Sequence, residues 1–204
     1  MKLTAILVTA LLLASNVSFS QDAARIGVWN IEKLSATAKR GFPELQGRSS
    51  LGPRTNNDLK AMAKYIKDEL KVHALMVTEI DADSPFSTDS VPQSAQLNKV
   101  ADELGANWKY FLGRTGGDLR LGLLFDTNRV RLKKLVNLHA SDFNVTGRDV
   151  LDRDPFIAWI SLLDDNGDPK NDLMLICVHL KSIQTRFRNN RMAAIAKLLS
   201  LIHI

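Results

Sequence analysis

Cysteine is all but missing from these 204 residues: Cys177, in "LMLICVHL", is the only one. A single cysteine cannot close an internal bridge, so the fold has to stand on its core. Its apolar surroundings give Cys177 the role of a small buried hydrophobe. Aromatics are scarce too, at 6%, and no loop gathers them into an apolar cluster that could dock on a membrane. Internal repeats, low-complexity tracts and interdomain linkers are absent, which leaves one globular domain as the expected organisation. The apolar opening "LTAILVTALLLA" is shorter than the roughly 20 residues a bilayer span needs. It follows Lys2 and precedes the small residues of "SFSQ", the order of a secretory signal peptide. Residues 1–20 are therefore expected to be removed near Ser20, leaving a periplasmic or secreted protein with no integral membrane segment.

What the sequence does contain is a modest excess of positive charge, +5 over the whole chain and +4 once residues 1–20 are gone. A basic exported protein suits anionic partners such as nucleic acid or membrane surfaces. Several of the cations fall in one polar stretch, "EKLSATAKRGFPELQGRSSLGPRT", where Gly, Pro and Ser predict a long loop. Lys39, Arg40, Arg48 and Arg54 in that loop are candidates for contact with a nucleic-acid backbone.

Around this loop the apolar pattern alternates between short β-type runs and helical stretches. "RIGVWNI" (25–31) and "HALMVTEI" (73–80) read as strands. Leu59, Met62, Ala63, Ile66 and Leu70 recur at helical spacing, predicting a helix over 57–70 behind Asn and Asp residues able to cap it. A second helix is expected at 94–104, with Leu97, Val100, Ala101 and Leu104 on one face. Strands are then expected at 108–113, 120–126, 131–138, 155–163 and 173–180. "TGGD", "FDTNRV" and "DDNGD" supply the turns between them. A last helix should begin near Asn189 with Met192, Ile195, Ala196 and Leu199 facing inward. Clustered strands with a few covering helices predict a layered α/β sandwich.

Three of the apolar strands finish on a polar residue: Asn30 in "VWNIE", Glu79 in "LMVTEID" and His179 in "ICVHLKS". Taken singly, a turn-forming Asn, a solvated Glu and a structural His are ordinary. Their shared position is not, because strands that end on one rim can bring an amide, a carboxylate and an imidazole together.

These residues also carry a resemblance. "RIGVWNIEKL", "ALMVTEID", "RLGLLFDTNRV", "RDPFIAWI" and "LMLICVHLKS" followed by "RNNRMAAIAKLL" are similar, in order, to the motifs of the endonuclease/exonuclease/phosphatase superfamily. Thr78 stands where that family commonly has Gln, and Asp154 lies between its Arg and Pro. The resemblance covers residues 25–198 and implies a DNase I-like layered α/β sandwich whose second half is incomplete. It implies that Glu79 holds a divalent cation, Mg²⁺ in the first place with Mn²⁺ or Ca²⁺ possible, and that Asn30 orients the metal shell or the phosphate. His179 would hydrogen-bond or protonate around the scissile phosphate, adding positive charge there, and Arg153 would clamp a phosphate oxygen or instead support the rim. The implied activity is metal-assisted hydrolysis of a phosphodiester, with nucleic acid as substrate and no stable protein partner. A phospholipid or inositol phosphate substrate on the same fold, and an exported binding domain without catalysis, are the alternatives.

The family's later Gly-Asp-x-Asn and Ser-Asp-His elements do not follow His179. The 25 residues after it contain no Asp or Glu, and His203 is not preceded by Asp. The ending "LSLIHI", 199–204, is also what the transposon-end sequencing adapter CTGTCTCTTATACACATC encodes in one frame. Residues 199–204 are therefore expected to be non-native, and this fragment to be inactive.

Overall fold

A computed structural model describes residues 24–34, 54–82, 92–114, 119–138, 144–145, 148–149, 154–179 and positions 192, 195 and 196. Nine strands and two α-helices occur among them. Strands β1 (Ile26–Leu34), β2 (Ala74–Asp81), β4 (Leu119–Asp126) and β3 (Trp108–Leu112) form one sheet in the order β1-β2-β4-β3. Strands β5 (Val130–Asn137), β8 (Phe156–Leu163) and β9 (Pro169–Cys177) form a second sheet in that order. The short β6 (Asn144–Val145) and β7 (Arg148–Asp149) pair with each other and, among the described residues, with no other strand.

Helix α1 (Asn56–Tyr65) starts where Thr55 and Asp58 close a capping box, each side chain taking the other's backbone N–H. The cap is thus Thr55, and the Asn and Asp residues expected to cap lie in the first turn. The helix runs on into a π-helical turn, Ile66–Leu70, that ends at the left-handed Lys71. Helix α2 (Ala95–Leu104) begins at the fully buried Ser94, whose Oγ accepts from Leu97 N. Leu59, Ala63 and Ile66, with Leu97, Val100, Ala101 and Leu104, bury one face of each helix against Leu75, Val77 and Ile80 of the first sheet. On the opposite face Ala74, Leu121, Leu123 and Phe125 pack against Phe156, Ala158, Ile160, Leu175 and Cys177 of the second. Helices, sheet and sheet make the layered α/β sandwich that the sequence predicted.

Strand β4 is central to this arrangement, and every residue from Leu119 to Phe125 is buried. A strand covered on both faces reads as a continuous apolar run, which "LGLLF" does. Gly122 is required there: a Cβ would lie 3.0 Å from Val77 Cγ2 and 3.1 Å from the Phe111 carbonyl oxygen. The corner after β4, where Asn128 N donates to Asp126 Oδ1 and Arg129 N to Asp126 O, carries the chain into the second sheet. "DDNGD" turns β8 into β9, with Asp164 Oδ1 accepting from the backbone of Asn166 and Asp168 and Gly167 at φ +83°.

The structure departs from the expected boundaries in several places. Strand β1 continues through Glu32 to Leu34, into what reads as loop, and β9 runs from Pro169 to Cys177 where 173–180 was predicted. The polar "PKND" of β9 pairs along β8 because backbone hydrogen bonds do not need apolar side chains. Strands β6 and β7 were not foreseen. Of the last helix, Met192, Ile195 and Ala196 are described as helical, and Met192 and Ile195 are 62% and 40% exposed, so they do not face inward as expected.

Candidate active site

Strand alternation governs where each side chain of β2 goes, and it is broken at one point. Leu75 and Val77 point into the helix-side core, so residue 79 should follow them. Ile80 takes that place instead. The pairing shows how: Val77 faces Gly122 and Ile80 faces Arg120, so β2 carries one residue more than β4 across this stretch. This is a β-bulge. Glu79 sits inside it with φ +66°, in the left-handed region. For a non-glycine residue that backbone costs of the order of 1–3 kcal/mol and is held by its surroundings. On the other side Asn30 faces Thr78 while Leu34 faces Ile80, a second irregularity that places extra residues on β1 at the same level.

The effect is to release Glu79 from the apolar face and present it at the rim. Asn30 Nδ2 donates to Glu79 Oε1 at 3.2 Å, and His179 Nε2 lies 3.2 Å from the same oxygen. A carboxylate oxygen accepts, so Nε2 is the protonated nitrogen in this contact. His179 lies two residues beyond the end of β9 in the second sheet, and its ring reaches Glu79 of the first. Glu79 and His179 are 19% and 20% exposed in their side chains, partly desolvated but reachable from solvent. Asn30, Glu79 and His179 are thus one cluster, although Asn30 lies mid-strand in β1 and not at a strand end as expected, Glu79 lies near the end of β2, and His179 just past β9.

Of the other residues singled out, Arg54 is half-buried beside this cluster, and its Nη2 donates to the carbonyl of Ile31, next to Asn30. It ties the end of the basic stretch to β1. Lys39, Arg40, Arg48 and Arg153 lie outside the described residues. Sequence reading missed two buried polar residues around the bulge, Asp81 and Arg120, and noted the buried Thr78 only as standing in place of Gln. The hydroxyl of Thr78 makes no hydrogen bond among the described residues. The Arg120 guanidinium donates to the carbonyls of Gly113 and Arg114 at 3.2 and 2.7 Å. Burial pushes its pKa down, opposed by the charge of Asp81. "RLGLL" offered a signal for Arg120, a cation inside an apolar run, and "TEID" offered one for Asp81, a second acid two residues after the first.

Among the described residues no group of three or more His, Cys, Asp or Glu side chains converges. One carboxylate, held by the Asn30 amide N–H, still fits Mg²⁺, which keeps several waters and takes only one or two carboxylates from a protein. A site built from thiolates or several imidazoles would not.

No protein-family model matches the chain, and no curated protein does. Solved structures do match in shape. An endonuclease/exonuclease/phosphatase family protein from Bacteroides thetaiotaomicron is 11% identical, with a TM-score of 0.51 over 90% of this chain and 61% of its own. The mannosyl-6-phosphatase of Bacteroides thetaiotaomicron VPI-5482 is 11% identical, with a TM-score of 0.51 over 88% and 60%. A functionally unknown conserved protein from Enterococcus faecalis V583 is 11% identical, with a TM-score of 0.50 over 87% and 60%. The chain thus spans about 60% of the length of each of these three proteins. Two packed sheets with helices over the first give this chain the DNase I-like layered α/β sandwich fold that these structures share.

Proposed function

We propose that this protein is an exported, metal-dependent phosphodiesterase acting on nucleic acid. The observation that carries the reading is the bulge that turns Glu79 out of the apolar core, at a cost in backbone strain, to stand between an amide and an imidazole. Strained, re-aimed carboxylates of this kind occur where chemistry needs them. Glu79 would hold a divalent cation, Mg²⁺ first and Mn²⁺ or Ca²⁺ as alternatives, with Asn30 fixing the carboxylate's orientation through its 3.2 Å hydrogen bond. When bound, that cation would supply Lewis-acid polarisation of a phosphoryl oxygen. His179 Nε2, already donating toward the site, would place a proton and positive charge beside a phosphate as negative charge builds there.

The basic balance of the chain favours a polyanion as substrate, and Arg54 joins the basic loop to the backbone beside Asn30. The Gly-Asp-x-Asn and Ser-Asp-His elements that would position the attacking water are not among the 204 residues. Binding of cation and phosphate backbone is the part of this reading that the cluster of Asn30, Glu79 and His179 supports. Fluorescence anisotropy with labelled single- and double-stranded DNA and RNA tests the substrate: binding should strengthen with Mg²⁺ and weaken steeply with salt. Binding only to anionic lipid vesicles, or to no anion at all, would overturn the nucleic-acid reading.

A further inference from the structure

We propose that Arg120 is a positioning residue that locks the β2 bulge and so keeps Glu79 aimed at Asn30 and His179; the inference rests on the reading of those three residues as the site. Arg120 is 2% exposed, a cation inside a central strand, which demands a structural or functional reason. It occupies the position that closes the bulge, directly opposite Ile80. Its guanidinium bridges the carbonyls of Gly113 and Arg114 just past the end of β3, while Gly113 N donates to Leu121 O at 2.7 Å. Asp81, the last residue of β2 and itself buried, interacts electrostatically with it.

The ends of β2, β3 and β4 are thus joined through one side chain. A strand is free to slip by one residue where nothing pins its register, and a one-residue slip here would remove the bulge. Glu79 would then take the place of Ile80 against the helices, as plain alternation dictates, and the carboxylate would leave the rim. Nη1 of Arg120 holds both carbonyls while the guanidinium's charge answers Asp81, and an apolar side chain can do neither.

The side-chain amide of Asn30, bonded to Glu79, reports the aim of the carboxylate by NMR without metal or substrate. In Arg120→Met this resonance should move toward its position in Glu79→Ala, and Mn²⁺ affinity measured by EPR should fall about tenfold or more, as for other residues that orient a ligand. Arg120→Lys, which keeps the charge and one carbonyl contact, should largely restore both. Phe156→Leu, which loosens the other core, should lower stability and leave the Asn30 resonance in place. An unmoved resonance in folded Arg120→Met, or one moved equally by Phe156→Leu, would overturn the proposal. If Arg120→Met does not fold, Asp81→Asn decides, with the same shift expected and an unmoved resonance contradicting it. Should wild-type protein bind no Mn²⁺, the cation reading fails, and the resonance still decides the role of Arg120.

Discussion

Thr78 stands in the β2 bulge, opposite Asn30 of β1, with a buried hydroxyl that makes no hydrogen bond among the described residues. A buried hydroxyl without a partner costs about 1–3 kcal/mol, so Thr78→Val should raise the urea midpoint, by about 1 kcal/mol in stability. A lowered midpoint would show that the hydroxyl has a partner after all. His73 gives a pH effect. Burial first, and the nearby Arg129 next, push its pKa below 6.5, with Asp126 opposing, while Nδ1 accepts from Arg25 N at 2.9 Å. The folded state therefore favours neutral His73 and the unfolded chain takes the proton first. This contribution is fully present above about pH 6.5 and is lost as pH falls through the depressed folded value. In His73→Asn the loss of stability between neutral pH and about pH 5 should be shallower than in the wild type. Parallel curves would show that other groups set the slope.

Between strands, the decisive feature is the paired irregularity of β1 and β2, and the contact that borders it is Gly122. A Cβ there meets both Val77 and the Phe111 carbonyl, and the backbone oxygen cannot move aside without breaking β3 from β4. Gly122→Ala should cost about 1–3 kcal/mol by urea denaturation, and a loss under 0.5 kcal/mol would mean that the sheet has more room than its distances allow. Here the sequence was only partly informative. The two helix faces were legible because Leu59, Ala63, Ile66, Leu97, Val100, Ala101 and Leu104 keep the helical period, and all are buried. The bulge was not, because "LMVTEID" reads equally well with Glu79 as the final residue of a regular strand. Extra residues in a strand appear only in its pairing with partners distant in the chain, and no local period records that. The start of β9 was hidden for the same reason: "PKND" has no apolar alternation, yet Ser161 Oγ donates to Asp172 Oδ1 at 2.7 Å across β8 and β9.

For the molecule as a whole, the order of Asn30, Glu79 and His179 along the chain was readable, since each closes an apolar run. Their convergence was an inference about a shared rim, and it required both sheets to exist. Arg153, Arg40 and Arg48 lie outside the described residues, so the phosphate contacts proposed for them rest on chemistry alone. The proposed export belongs to this scale. Expressed with its own N-terminus in a bacterial host, the protein should leave the cytoplasm and begin at Gln21 or a close neighbour. Intact mass showing Met1 retained in the exported fraction would contradict it. The most direct measurement concerns Glu79 itself: titration calorimetry of Mg²⁺ and Mn²⁺ into the wild type and Glu79→Gln. An amide keeps the shape of the carboxylate and loses its charge. Saturable binding in the wild type that disappears in Glu79→Gln is the predicted result, and an unchanged isotherm in the variant would contradict Glu79 as the cation's ligand.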